Sequence, residues 1–129
     1  MSEKLILSDK TFKIIGAAME VHNTIGCGFT EPLYQEAFEE ELRLRGIPYQ
    51  REKTFHGVYK GKVLNKEFRP DFVCYDEIII ELKAVQDVVD EHYSQVYNYL
   101  KATGLRLGML INFGKKSLEY KRIPCDKKW

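Results

Sequence analysis

The sequence predicts an α/β protein with a mixed central sheet flanked by helices, its elements in the order ααββββαββ. Three observations carry this. Two stretches with helical apolar spacing precede any strand pattern. After Pro48 the period changes to alternation, and Ile78-Ile79-Ile80 then marks a central strand that is apolar on both faces and so covered from both sides. A further helical stretch joins that strand to a second buried one, and a helical crossover makes two strands of one sheet run parallel.

Taken in order, Ser8 and Asp9 offer an N-cap for the first helix. In it Phe12, Ile15, Met19 and Val21 recur near helical spacing, and Gly26 ends it. Thr30 caps a second helix with Pro32 in its first turn, where a missing N–H costs nothing. Leu33, Ala37, Phe38, Leu42 and Leu44 form its apolar side, and Gly46 stops it. Tyr49, Arg51, Lys53 and Phe55 then alternate, and Val58 to Val63 reads as a hairpin turning at Lys60-Gly61. A third strand, Lys66 to Cys74, leads through Tyr75-Asp76-Glu77 into the strand Ile78 to Lys83. A third helix, Val88 to Thr103, closes at Gly104. Leu107 to Phe113 is a second buried strand, and Leu118 to Ile123 alternates like a sheet edge.

A chain of 129 residues without repeats, low-complexity tracts or linker-like stretches is expected to be a single domain over residues 1–129. Twenty basic and nineteen acidic residues nearly cancel, so the molecule as a whole carries no electrostatic signature of a nucleic-acid or membrane binder. The balance is uneven, however. Residues 114–129 hold six Lys/Arg against two acids, while the helix around Glu36 to Glu41 is acidic; this permits a basic face without requiring one. Cys27, Cys74 and Cys125 are odd in number and widely separated, which argues against a zinc site or a disulfide framework and makes a reducing cytoplasm the expected setting. No export signal and no membrane-length apolar run is visible.

The candidate chemistry lies where the Ile78–Ile80 strand turns polar. Glu81 and Lys83, two apart, leave the same face while Leu82 leaves the other. Charges at the end of an apolar run are costly unless paired or bound. Asp71 lies ten residues before Glu81. A three-residue turn at Tyr75 to Glu77 sets Asp71 opposite Glu81; a two-residue turn would set it opposite Leu82 and flip it away. Two converging carboxylates suit a hard divalent cation, Mg²⁺ or Mn²⁺, and an adjacent lysine can position an attacking water or stabilise developing charge. These are the parts for phosphodiester hydrolysis. The competing reading is an exposed strand end with an ordinary Glu81–Lys83 ion pair.

Two helical stretches offer further residues. Glu31 and Tyr34 share one face at the start of the second helix. Glu31 is either a first-turn acid complementing the helix dipole or a third carboxylate near the metal. In the third helix His92, Gln95 and Tyr99 form one polar stripe, either its solvated side or a row set above the site. Tyr34, Tyr97 and Tyr99 could stack on bases or belong to the core.

Gly28, Glu31 and Tyr34 match the signature of the GxxExxY family, a small-protein branch of the PD-(D/E)XK nuclease superfamily. The resemblance runs over nearly the whole chain, through Tyr59-Lys60-Gly61, the Asp71 strand, Ile80-Glu81-Leu82-Lys83-Ala84-Val85, Gln95-Val96-Tyr97-Asn98-Tyr99-Leu100 and Leu107 to Gly114. It implies a restriction-endonuclease-like core, with Asp71 and Glu81 as metal ligands and Lys83 as catalytic lysine. It further implies that Glu31 is the helix-borne acid and that Gln95 and Tyr99 form a Q-x-x-x-Y element. The implied activity is Mg²⁺- or Mn²⁺-dependent cleavage of nucleic acid, DNA ahead of RNA. The alternative is a catalytically silent nuclease-fold module that binds nucleic acid or a protein partner. By analogy, so small a nuclease leaves room for a homodimer that grips a duplex.

Overall fold

In the computed structural model, which describes residues 6–126, a five-stranded mixed sheet is flanked by helices on both faces. The helices are α1 (Ser8–Ile25), α2 (Glu31–Leu44) and α3 (Asp90–Thr103). The strands are β1 (Tyr49–Arg51), β2 (Phe55–Tyr59), β3 (Lys62–Phe68), β4 (Phe72–Cys74), β5 (Ile78–Lys83), β6 (Leu107–Asn112) and β7 (Glu119–Pro124). The main sheet runs β1-β4-β5-β6-β7, and β2 and β3 form a separate two-stranded sheet. As the helical crossover requires, β5 and β6 are parallel, with Ile78 beside Leu107 and Lys83 beside Asn112. All other pairings are antiparallel.

The strand count exceeds the predicted order by one, because the expected strand from Lys66 to Cys74 is broken. Pro70 has no N–H to give to a ladder and disfavours regular continuation around it, so β3 ends at Phe68 and β4 begins only at Phe72. The alternation from Tyr49 to Phe55 breaks too: Glu52 has φ 53, left-handed backbone that ends β1 and lets β2 leave for the smaller sheet.

Alternation along β5 divides the core. Ile78, Ile80 and Leu82 pack with Phe72, Met109 and Ile111 beneath α1 and α2, while Ile79 packs with Val73, Leu110, Val96 and Leu100 beneath α3. The helix faces match expectation in part, with Val21, Phe38 and Leu42 buried as expected. In α1 the buried apolar residues are Ile14, Ala17, Ala18 and Val21, and Phe12 is 78% exposed. In α2 they are Tyr34, Phe38 and Leu42, leaving Leu33 and Leu44 outside. Small alanines let α1 approach α2 closely, a packing that apolar bulk does not reveal. Neither expected cap forms: Ser8 opens α1 after Leu7, and Thr30 occupies the N-cap of α2 without a side-chain capping bond.

Candidate active site

The site forms where β4 has just ended beside β5. The register Phe72↔Ile80, Val73↔Ile79 and Cys74↔Ile78 is that of a three-residue turn, and its continuation sets Asp71 opposite Glu81. Beyond Phe72 the ladder is replaced by side chains. The Asp71 N–H donates to Glu81 Oε2 at 2.7 Å, and the Leu82 N–H donates to Asp71 Oδ2 at 2.8 Å. Each carboxylate thus satisfies a main-chain donor on the opposite segment, which fixes both side chains at the broken end of the strand pair.

This placement is electrostatically costly. Glu81 is 4% exposed. Burial, then the neighbouring Asp71 charge, pushes its carboxyl up to about 8, against the opposing effects of the Asp71 N–H and Lys83. Asp71 is also raised, chiefly by burial and further by Glu31, with the Leu82 N–H, Lys83 and the Gln35 side chain pulling it down. Lys83 acts on both through its charge but makes no ion pair within 4.0 Å among the described residues, so the simple Glu81–Lys83 surface pair is not what forms. Two carboxylates held side by side at a cost in burial form a donor set that a hard cation would complement.

Glu31 projects its charge onto both carboxylates from the first turn of α2. It does not join them as a third ligand: among the described residues, no group of three or more His, Cys, Asp or Glu is gathered tightly enough to hold a metal ion. The pair therefore fits an ion that keeps several waters, as Mg²⁺ does, rather than an all-protein cage.

On α3, Gln95 Nε2 donates to the Tyr99 hydroxyl at 3.1 Å. Burial and the charges of Glu81 and Asp71 raise the Tyr99 phenol, so this part of the polar stripe faces the carboxylates. One face of the Tyr99 ring is stacked on Phe68, with centroids 5.0 Å apart. His92 stands apart from this group: its Nδ1 accepts the Val89 N–H at the start of α3. Tyr34 cannot touch a base. It is fully buried, stacked on Phe113 at 4.7 Å, and its hydroxyl donates to the Gly26 carbonyl and accepts from the Phe29 N–H. What it holds is the loop that leads into Glu31. In the basic segment 114–129, Arg122 is turned toward the α1 end, bonding Thr11 Oγ1 and the Ile6 carbonyl, and Lys127 and Lys128 lie outside the described residues.

Two contributors escaped the sequence reading. Gln35, one turn after Glu31 on α2, lies close enough to the Asp71 carboxylate to favour its charged form. Asn112, fully buried at the end of β6, accepts the Val85 and Gly114 N–H groups and donates to the Val85 carbonyl and Glu119. Together with the Phe113 N–H bonded to the Lys83 carbonyl, it anchors the chain just after Lys83. The signal for Asn112 was present, since a polar residue ending an apolar strand is the pattern that marked Glu81.

With this geometry in view, comparison with known proteins is direct. A family model described as the PD-(D/E)XK nuclease superfamily matches residues 8–123, and the chain belongs to that superfamily. Its mixed sheet with flanking helices is the restriction-endonuclease-like fold. Among solved structures, the crystal structure of SSO0001 is similar, with a TM-score of 0.58 at 18% identity. The match covers 76% of this chain and 50% of that one, so this chain spans about half the length of its structural relative. Comparison with curated proteins returns no match. Among the described residues no helix is long and apolar enough to cross a membrane.

Proposed function

We propose that this protein is a Mg²⁺- or Mn²⁺-dependent nuclease of the GxxExxY branch, hydrolysing phosphodiester bonds of DNA in preference to RNA. The observation that carries the reading is the paired arrangement of Asp71 and Glu81 across the broken strand end, with Lys83 acting on both through its charge. A divalent cation held by these two carboxylates would supply an acidified water and polarise a phosphoryl oxygen. Lys83 orients the attacking water or meets the charge that develops on the scissile phosphate. Glu31 adds negative potential that favours cation binding, and Gln35 steadies the Asp71 carboxylate. Gln95 fixes the Tyr99 hydroxyl, which faces the carboxylates as a donor for a substrate oxygen.

One observation favours a second reading, a catalytically silent module that keeps the fold to bind nucleic acid or a protein. Among the described residues no group of three or more potential metal ligands is gathered at the site. Hydrolysis of labelled duplex and single-stranded DNA and RNA in the presence of Mg²⁺ or Mn²⁺ separates the two. Asp71→Ala and Lys83→Ala should each lower the rate by roughly 10³-fold or more. Cleavage that persists in both variants removes the site from the chemistry, and binding without cleavage under either ion selects the silent module.

A further inference from the structure

From the β2–β3 hairpin we infer that it is a DNA-gripping arm, a basic ribbon that enters the major groove of duplex DNA and delivers the backbone to Asp71. The inference rests on the nuclease reading for its purpose, but on separate observations for its support. The first is charge. Residues 53–69 hold five cations and one acid, a net charge of +4 in a chain whose total is +1, so the remaining residues sum to −3. The single acid, Glu67, is taken up by Arg69 at 3.0 Å and lies 3.8 Å from His56. Lys60, Lys62 and Lys66 are exposed and make no ion pair within 4.0 Å among the described residues.

The second observation is architecture. This hairpin is a sheet of its own, bonded to no strand of the main sheet. Its base is clamped by a stack in which Phe55 lies on Phe68 and Phe68 on Tyr99. Its far end is solvated: Tyr59 is 61% and Val63 64% exposed, flanking a turn with positive φ at both Lys60 and Gly61. That turn geometry matches the twist of a two-stranded ribbon. With seven residues in β3, the ribbon extends roughly 20 Å.

Those dimensions choose the partner. The major groove of B-DNA, about 12 Å wide, admits a two-stranded β-ribbon, whereas the deep and narrow major groove of A-form RNA does not admit side chains. Cations on a ribbon inside the groove meet the phosphates of both walls. The arm also continues directly through Arg69 and Pro70 into Asp71, so a duplex seated on it runs toward the carboxylates.

The test is fluorescence anisotropy of full-length protein, made inactive by Asp71→Ala, with a labelled DNA duplex and the same-sequence RNA duplex across a salt series. Adding K60Q, K62Q and K66Q together should reduce the slope of log affinity against log salt by about 2–3, at ~0.9 per lost phosphate contact. K13Q, on the exposed side of α1, should leave the slope unchanged. Equal DNA binding with and without the three substitutions overturns the arm, as does RNA duplex binding of the same strength through the same lysines, or no binding of DNA at all. Cleavage assays with Asp71 restored separate this inference from the parent reading. Unchanged cleavage by the triple variant sinks the arm and leaves the nuclease standing. Lysine-dependent DNA binding without cleavage supports the arm and sinks the chemistry.

Discussion

The Asp71 N–H and Glu81 Oε2 meet at 2.7 Å, so the two acids are joined by main chain to side chain and not by a carboxyl–carboxyl contact. With the return bond from the Leu82 N–H to Asp71 Oδ2, the acids take up two main-chain donors where the regular β4–β5 pairing stops after Phe72. A strand break and a charged site are thus one structural event. Because the same carboxylates complete the fold, their titration is linked to stability.

Glu81 and Asp71 both have carboxyls raised above their ordinary values in the folded protein. A raised acid binds its proton more tightly folded than unfolded, so stability falls as pH rises through the interval between the two values. For Glu81 that interval runs from 4.5 to about 8. Urea denaturation of the metal-free protein should show stability declining across this range, and Glu81→Gln should flatten the decline. A wild-type profile that is flat, or one that rises through this range and is unaltered by Glu81→Gln, would contradict the assigned burial.

Asn112→Ala should destabilise the protein by about 2–4 kcal/mol, because it leaves the Val85 N–H and carbonyl without partners at a buried turn. Cleavage should fall further than stability alone explains, since the chain after Lys83 loses its anchor. Calorimetry and single-turnover kinetics on the same samples measure both; a stable variant with full activity would show that the anchor is dispensable.

Tyr34→Phe keeps the ring on Phe113 but removes the hydroxyl that ties Gly26 to Phe29. A loss of about 1 kcal/mol is expected, with nucleic-acid affinity unchanged at saturating folded protein. Weakened binding with undiminished stability would restore a direct contact for this tyrosine.

How much of this was legible depended on whether a residue's role is local. The Ile78–Ile80 run betrayed a strand covered on both faces, and chain parity alone sufficed to set Asp71 opposite Glu81 once the turn length was assigned. The inner faces of α1 and α2 are legible at Val21, Phe38 and Leu42 but not at Ala17 and Ala18, which are buried while the bulkier Phe12 and Leu44 point outward. The break at Pro70 was readable from proline's missing donor, but the alternation on either side of it masked the interruption. Gln35 was hidden for another reason: the acid it neighbours lies 36 positions away, just before β4, and nothing local marks it.

The account is tested most directly by the anomalous difference map of a crystal soaked in Mn²⁺. It predicts one ion bridging the Asp71 and Glu81 carboxylates at about 2.0–2.3 Å, its remaining coordination filled by water, and lost in Asp71→Ala. A saturated crystal with no ion between these two residues, or with the same peak retained in the variant, would contradict it.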